Sequence, residues 1–308
     1  MGWILLTILV AVVATLPQQA EARRIPAARM RDAAPGRFAK LSQGVTHYQW
    51  LGPARGPVVV AIHGLSTPGP VFYAIARGLA RIGYRVLIYD LYGRGYSDAP
   101  GGAQDRGFFL TQLQDLLAHQ DLEEDLTVLG YSMGGGIATA FAAACPGRMK
   151  RLILLASAGM RLREDRLNRF CRTTPFLGDW VHAVIVQRRE RRALRRPLGR
   201  DFDIEGIVEL QLAEYAGRGF LRSVLSSRRH MLAEVQEEDH RLLGREGVPV
   251  VGIWAEKDEV IPLSSLGMLT QWNRTVRQEV VDGAGHQMPF THSGQVIALL
   301  SEILREVD

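Results

Sequence analysis

Short apolar segments alternate along this chain with longer stretches in which apolar residues recur every three or four positions. The apolar segments predict strands at 45–50, 57–62, 85–89, 126–131, 151–156, 248–256 and 278–281, and the periodic stretches predict helices at 71–82, 108–119, 135–145, 264–272 and 295–307. Regular alternation of this kind is typical of a parallel sheet with helices on both faces. Ligands of such sheets bind at the carboxyl ends of the strands, so we expect the functional site there.

The alternation is interrupted between residues 161 and 232, where the pattern is helical and no strand is predicted. A helical insertion at the carboxyl ends of the strands would form a lid over the site. Within it, Phe170, Phe176, Leu177, Trp180 and Val184 suit the wall of an apolar pocket for an acyl chain.

The same segment carries sixteen arginines, no lysine and nine acidic residues, an excess of seven positive charges, whereas the whole chain has +5. The densest run consists of Arg188, Arg189, Arg191, Arg192, Arg195 and Arg196. It indicates either a solvated helix face or a contact with anionic lipid head groups or an anionic substrate. No nucleic-acid recognition motif accompanies the run, so nucleic acid is not expected as a partner.

The N-terminus differs from the rest of the chain. Fourteen mostly apolar residues from Trp3 to Leu16 precede Ala20-Glu21-Ala22, which fits a signal peptide cleaved after Ala22 and export to the periplasm or the medium. However, no Lys or Arg precedes the apolar run, and four arginines follow it between residues 23 and 31. Positive charge there favours the alternative, an uncleaved membrane anchor formed by residues 1–16.

These patterns predict five parts: a signal peptide or anchor at 1–22, a linker at 23–43, a first core part at 44–160, a helical lid at 161–235 and a second core part at 236–308. The length of 308 residues, 47% of them apolar, suits one large domain with an insertion. Cys145 and Cys171 belong to no metal-binding pattern, so they are two free thiols or, after export, one disulfide.

Gly130-Tyr131-Ser132-Met133-Gly134 is the most informative stretch for chemistry. It follows an apolar strand and precedes a helix of small residues, which is the setting in which G-x-S-x-G forms a nucleophile elbow. The glycines allow close backbone packing around a sharp turn that exposes the serine hydroxyl. We therefore predict that Ser132 is a nucleophile; the alternative is an ordinary Gly-Ser loop.

A serine nucleophile needs a base, and the base needs an acid that orients it. His286 and Asp258 each follow a predicted strand, and the order Ser132, Asp258, His286 matches the order used with this elbow. Glu256 and Glu259 are the rival acids. Backbone N–H groups of Met133 and Leu65 are predicted to form the oxyanion hole, with Ser66 as the second choice to Leu65 and His63 as a loop-ordering residue.

The chain resembles the α/β-hydrolase superfamily from about residue 45 to its end. The resemblance rests on five motifs in order: His63-Gly64-Leu65, Asp90-Leu91-Tyr92-Gly93-Arg94-Gly95-Tyr96-Ser97-Asp98, Gly130 to Gly135, Asp258 with Pro262, and Gly285-His286. It implies an α/β-hydrolase fold with a mostly parallel sheet and no metal or organic cofactor.

Within the superfamily the chain resembles lid-bearing serine esterases and monoacylglycerol-lipase-like enzymes, which implies hydrolysis of a medium-chain ester or a monoacylglycerol. It also resembles carbon–carbon bond hydrolases that cleave diketone ring-fission products. Those usually have a glycine-rich oxyanion loop, whereas Leu65-Ser66-Thr67-Pro68 stands here. A third alternative is a non-catalytic ligand-binding protein on the same fold.

Overall fold

The computed structural model describes residues 2–196 and 202–306 and contains one eight-stranded sheet. Its strands are β1 (Arg37–Leu41), β2 (Gly44–Leu51), β3 (Val58–Ile62), β4 (Arg85–Tyr89), β5 (Leu126–Tyr131), β6 (Met149–Leu155), β7 (Val250–Ala255) and β8 (Arg277–Val281). They lie in the order β1-β2-β4-β3-β5-β6-β7-β8. The pairs β1–β2 and β2–β4 are antiparallel and the other five pairs are parallel. The prediction of a mostly parallel central sheet is therefore confirmed.

The helices of the N-terminal segment and of the core are α1 (Gly2–Ala22), α2 (Ala27–Met30), α3 (Tyr73–Arg81), α4 (Arg106–His119), α5 (Met133–Ala144), α11 (Glu237–Arg245), α12 (Ser264–Trp272), α13 (Met288–Thr291) and α14 (Ser293–Arg305). Between β6 and α11 lie α6 (Arg166–Thr173), α7 (Leu177–Val181), a π-helix (His182–Val186), α8 (Gln187–Leu194), α9 (Ile207–Glu214) and α10 (Phe220–Arg229). Short 3₁₀ turns occupy Arg31–Ala33, Gly69–Phe72, Pro146–Arg148 and Met231–Ala233.

Burial on both faces of the sheet explains why its central strands are continuously apolar. In β3, Val59 and Ala61 pack on one face and Val60 and Ile62 on the other, because successive side chains of a strand point in opposite directions. Helices α3 and α14 cover the first face, and α4, α5, α11 and α12 cover the second. The two apolar layers hold the parallel strands in register, so their carboxyl ends form one continuous edge.

One predicted boundary is wrong in part. Residues 37–41, assigned to the linker, form strand β1, which pairs with β2 through a hairpin whose last pair is Leu41 with Gly44. Ala39 is buried there. The strand is short and lies at the edge of the sheet, so most of its stability comes from pairing with β2 and little from its own pattern.

The segment predicted as the lid contains helices and no strand among its described residues; positions 197–201 of the segment lie outside them. The predicted end of the closing helix at Val307 also lies outside the described residues, and the helix is seen to Arg305. Cys145 and Cys171 are both free thiols.

Candidate functional site

Ser132 lies in a sharp turn between β5 and α5. Its backbone has φ 54° and ψ −119°, a conformation that non-glycine residues rarely adopt. A methyl group on Gly134 would overlap the carbonyl oxygen of Ile62, and one on Gly130 would overlap the backbone of Gly134 and Gly135. The small residues therefore let α5 start directly against the ends of β3 and β5, and this close approach forces the strained turn at Ser132.

The structure brings Ser132, His286 and Asp258 together. Ser132 and His286 are 154 positions apart in the sequence, and Asp258 and His286 are 28 positions apart. Ser132 Oγ lies 3.0 Å from His286 Nε2, and His286 Nδ1 lies 2.8 Å from Asp258 Oδ2. A carboxylate only accepts hydrogen bonds, so Nδ1 carries the proton and Nε2 is free to accept the serine hydroxyl hydrogen. This is the geometry in which a histidine can activate a serine hydroxyl as a nucleophile.

Asp258 is fixed by its own backbone surroundings. Its Oδ1 accepts hydrogen bonds from the N–H groups of Val260 at 2.7 Å and Ile261 at 2.8 Å, which leaves Oδ2 for the imidazole. Of the two rival acids, Glu256 accepts a hydrogen bond from Gly283 N, and neither it nor Glu259 contacts the His286 ring. The geometry thus favours Asp258 as the orienting acid.

His286 is held from a second side by Tyr131, the residue before Ser132. The Tyr131 hydroxyl donates to the His286 carbonyl oxygen at 2.9 Å, and the two ring centroids are 5.3 Å apart. The pattern of the sequence assigns Tyr131 no role beyond the elbow motif. The contact couples the orientation of the His286 ring to the strand that leads to Ser132.

The loop after β3 runs beside Ser132, since a methyl group on Gly64 would lie 3.3 Å from Ser132 Cβ. The N–H groups of Leu65 and Met133 have no acceptor among the described residues. Both are therefore available to bind a negatively charged oxygen next to Ser132. Whether they form an oxyanion hole stays a prediction, as does the weaker choice of Ser66.

Two buried side chains fix the peptide groups on either side of Leu65. His63 Nε2 accepts the N–H of Leu91 at 2.9 Å, so its Nδ1 carries the proton and donates to the Gly64 carbonyl oxygen at 2.8 Å. Burial lowers the pKa of His63 to about 4, which keeps the ring neutral in this tautomer. The structure therefore places His63 as a loop-ordering residue without a contact to Ser132.

Arg94 holds the other side of the loop. Its Nε donates to the Leu65 carbonyl oxygen at 2.9 Å, and Nη1 donates to the carbonyl oxygen of Tyr92 and to Gln104. Nη2 donates to Ser227 Oγ in α10 at 2.8 Å. Burial lowers the pKa of the guanidinium to about 9, so it remains charged at neutral pH. Arg94 thus connects the loop beside Ser132 to a lid helix, a role that the sequence motif 90–98 does not reveal.

A third buried group, Asp90, joins the loops that follow β3 and β4. Its carboxylate accepts hydrogen bonds from Gly69 N at 2.9 Å, Tyr96 N at 3.1 Å and His47 Nδ1 at 2.7 Å. Burial opposes ionisation, but the hydrogen bond and the charge of His47 outweigh it and lower the pKa of Asp90. The same pairing raises the pKa of His47 despite its burial. A signal was present in the sequence, because Asp90 opens the glycine-rich loop directly after a buried strand.

A cavity of about 250 Å³ reaches from the loop after β3 to the loop that carries His286. Ser66 and Gln287 lie at these two ends, next in sequence to Leu65 and His286. Its apolar lining comes from α8, α9, the segments beside them and α13, and consists of Ala193, Leu194, Phe202, Val208, Tyr215 and Phe290. Glu190, Arg196 and Gln211 add polar groups to the same wall. This cavity suits a small or medium apolar group attached to a polar reacting centre.

The lid residues expected to wall an acyl pocket do not line this cavity. They lie on another part of the lid: Phe170 in α6, Phe176 directly before α7, Leu177 and Trp180 in α7, and Val184 in the π-helix. Phe176, Leu177 and Trp180 instead line a separate groove beside α1. An apolar residue within a lid packs inward or faces outward according to the helix arrangement, which the sequence pattern leaves open.

Comparison with known proteins identifies the fold family of the chain and several relatives. A family model described as "alpha/beta hydrolase fold" matches residues 57–182, from the start of β3 into the lid. A pimeloyl-[acyl-carrier protein] methyl ester esterase of Aeromonas hydrophila is 26% identical over 81% of this chain and 96% of its own length. A 2-hydroxymuconate semialdehyde hydrolase of Pseudomonas sp. is 26% identical over 81% of this chain and 87% of its own length.

Among solved structures, a bacterial membrane phospholipase A has a similar fold with a TM-score of 0.70. It is 19% identical in sequence, and the match covers 99% of this chain and 97% of that one. At this identity the likeness concerns the fold alone. Together with the family match, it confirms the predicted fold class.

Arg94→Met provides a test of the buried connection between the loop beside Ser132 and the lid. The variant leaves the buried oxygens of Leu65 and Ser227 without their Arg94 donor, while Gln104 Oε1 keeps only the donor from Ser227. Each unpaired buried group costs about 1–3 kcal/mol. We expect the free energy of unfolding, measured by urea denaturation, to fall by about 3 kcal/mol or more. The exposed Arg81→Met is the matched control and should change it by less than about 0.5 kcal/mol. Equal stability of the two variants would contradict this account of Arg94.

Proposed function

We propose that this hydrolase, a member of the α/β-hydrolase superfamily, cleaves carboxylic esters through an acyl-enzyme formed on Ser132. The single observation that carries the proposal is the relay from Ser132 Oγ through His286 to Asp258, with contacts of 3.0 and 2.8 Å. The Ser132 hydroxyl and the His286 ring form a nucleophile–base pair before substrate binds, and Asp258 fixes the tautomer of the ring. No other role explains a strained, buried serine in that position as simply.

In the proposed reaction, His286 Nε2 takes the proton of Ser132 as Oγ attacks the ester carbonyl carbon. The resulting oxyanion is held by the N–H groups of Leu65 and Met133. Collapse of the tetrahedral intermediate breaks the bond to the alcohol oxygen, which leaves with the proton from His286. Water, deprotonated by His286, then attacks the acyl-enzyme and releases the acid. Whenever His286 is protonated, Asp258 stabilises the imidazolium by accepting a hydrogen bond from its Nδ1–H.

The structure offers two physical reasons for efficient stabilisation of the oxyanion. The N–H of Met133 lies at the start of α5, where the helix dipole favours negative charge. The Leu65 loop is fixed by His63 and Arg94, so its N–H need not reorient during the reaction. Fixed donors of this kind stabilise the transition state more than flexible ones, because folding has already oriented them and no free energy is spent on orienting them during the reaction.

Fluorophosphonate labelling tests the nucleophile. We expect the probe to label the full chain, and Ser132→Ala to abolish labelling, because only the hydroxyl paired with His286 is activated. Ser66→Ala is the matched control, since Ser66 lines the neighbouring cavity but contacts no base; it should be labelled like the parent. Turnover of p-nitrophenyl butyrate should fall by about 10³-fold or more in His286→Ala. A parent chain with no labelling and no turnover would favour the non-catalytic binding protein.

The apolar cavity supports a medium-chain ester or monoacylglycerol as the substrate class. Most of its wall is aliphatic and aromatic, although Glu190, Arg196 and Gln211 also line it, and Ser66 and Gln287 lie near the proposed reacting centre. The esterase among the relatives is consistent with this choice. A second candidate, hydrolysis of a carbon–carbon bond in a diketone ring-fission product, is supported by the similarity to the 2-hydroxymuconate semialdehyde hydrolase.

A substrate panel distinguishes the two reactions. We expect hydrolysis of esters with roughly four to ten acyl carbons and of the corresponding monoacylglycerols, because the cavity is apolar and of moderate volume. The vinylogous diketone should be turned over at least about tenfold more slowly, as judged by kcat/KM. The reverse ranking would show that the carbon–carbon bond hydrolase is the correct assignment.

We also propose that α1 remains attached as a membrane anchor. The helix has 21 residues and is the one described helix long and apolar enough to cross a bilayer; at 1.5 Å per residue it spans about 30 Å, the thickness of the hydrocarbon core. Its end is also tied to the lid, since Gly219 N donates to Glu21, Arg218 donates to the carbonyl of Ala22, and Ile25 forms a β-bridge with Gly217. Cleavage after Ala22 would remove two of these partners.

The exposed arginines of α8, among them Arg188 and Arg192, support an additional contact with anionic lipid. Fewer of these arginines are available to bind lipid than the sequence suggests, because Arg189 forms an ion pair with Asp165 at 2.5 Å and Arg191 is half-buried. The intrinsic charge of the lid is thus partly neutralised within the lid itself.

Alkaline carbonate extraction of membranes tests the anchor. We expect the full-length chain to stay in the membrane fraction, because a spanning helix resists both high pH and high salt. Intact mass of the purified protein should include residues 2–22. A soluble chain that begins at Arg23 would identify a signal peptide instead and restore export as the correct interpretation.

A further inference from the structure

The outward-facing part of the lid is unusual for a soluble surface. Phe176 is 90% exposed and Leu177 is 58% exposed, side by side at the start of α7. Phe176 also has φ 61°, a backbone conformation that a bulky residue adopts only at a cost and that glycine would adopt freely. Neither packing nor backbone geometry therefore explains an aromatic residue at this position. Exposed, strained apolar residues of this kind mark a surface that contacts something outside the chain.

The position of α7 beside α1 indicates what that contact is. Pro17 lacks an N–H, so within α1 the carbonyl oxygen of Val13 loses its usual donor four residues later. The indole Nε1 of Trp180, in α7, donates to this same oxygen at 2.8 Å. An unpaired carbonyl is especially costly in lipid, where no water can replace the missing donor. The lid thus completes the hydrogen bonding of the apolar helix.

This contact fixes the depth of the lid relative to the apolar helix. Val13 lies within the apolar run 3–16, about one turn before its end. An element that contacts Val13 therefore lies at the level of the apolar run and below the polar residues that follow it. Between α1 and α7 runs an open groove of about 930 Å³ lined mainly by apolar groups, including Val13, Pro17, Leu177 and Trp180.

We propose that residues 175–180, the lid tip, insert into the bilayer that α1 spans, with Phe176 and Leu177 among the acyl chains and lipid filling the groove beside α1. The occupant is lipid because the tip is continuous with a membrane-length apolar helix whose described large side chains, such as Trp3, Leu5 and Leu16, are exposed as well. Trp180 then lies near the membrane–water interface, where tryptophan is enriched. The inference rests on the proposed anchor and extends it to the lid.

Charge at the base of the tip agrees with this placement. Asp179 is the acidic residue of α7, and both of its carboxylate oxygens accept hydrogen bonds from Arg229, at 3.0 and 2.9 Å. Asp179 Oδ2 also accepts the N–H of Phe176 at 2.9 Å. The carboxylate is thus neutralised and bonded within the lid, which lowers the cost of bringing it close to the hydrocarbon layer.

Insertion gives the lid a direct link between the membrane and the candidate site. The tip continues through the π-helix into α8, which lines the cavity next to Ser66 and Gln287. An ester lipid in the bilayer would therefore contact the lid tip with its acyl chains, at the depth to which the tip inserts.

Depth-dependent quenching tests the insertion without reference to catalysis. The test uses the full-length chain with Cys145→Ser, so that buried Cys171 is its one remaining native cysteine. Phe176→Cys in this background is labelled with bimane. The labelled protein is reconstituted in phosphatidylcholine vesicles with or without brominated acyl chains. Val280→Cys, on the edge strand β8 and partly exposed, is the matched control. We expect bromine to quench the label at 176 at least threefold more strongly than the label at 280, with a blue-shifted emission. Trp180→Phe should reduce that difference.

Equal quenching at both sites, in protein that still resists carbonate extraction, would overturn the insertion and leave the anchor intact. A blue shift at 176 without bromine quenching would also overturn it, because a second copy of the chain or another protein would then cover the tip. The functional counterpart is Phe176→Ser combined with Leu177→Ser. This double variant should slow hydrolysis of monoacylglycerol in vesicles at least about fivefold and leave turnover of a water-soluble ester unchanged. The matched Val280→Ser variant should hydrolyse both substrates like the parent.

Discussion

The close approach of α5 to the ends of β3 and β5 is the constraint on which the rest of the site depends. It is possible only because Gly130, Gly134 and Gly135 have no side chain to place against the backbone and Ser157. The approach forces Ser132 to φ 54°, a strain of about 1–3 kcal/mol that the packing of the surrounding strands must offset. In return, the hydroxyl is held at the sheet edge, within reach of His286 and beside the start of a helix.

Around this turn, three buried polar side chains hold loops that have no regular structure of their own. His63, Asp90 and Arg94 each form several hydrogen bonds to backbone groups of the loops that follow β3 and β4. Loops usually satisfy their backbone groups with water at the surface, but these lie in the interior and must find partners within the protein. A buried polar or charged side chain with full hydrogen bonding suits this purpose, because losing any partner is costly and alternative loop conformations are therefore disfavoured.

The lid is connected to this interior at one end and to the apolar helix α1 at the other. Arg94 reaches Ser227 in α10, while Trp180 in α7 bonds to the carbonyl of Val13. Ion pairs within the lid, such as Arg228 with Glu190 and Arg229 with Asp179, join its helices to each other. The position of the lid over the cavity is set both by the core and by α1.

The sequence by itself determined the architecture and the candidate chemistry, because both have local signatures. Buried strands are continuously apolar, the elbow needs glycines at fixed spacing, and Asp258 and His286 each follow a strand whose end must lie at the shared edge. Tertiary structure alone decided the rest. The strand Arg37–Leu41 depends on its pairing with β2, and the roles of His47, Tyr131 and Arg94 depend on partners far away in sequence. Likewise, the exposure of Phe176 and Leu177 is seen only in the folded chain, because an apolar pattern does not show whether a residue packs inward or faces outward.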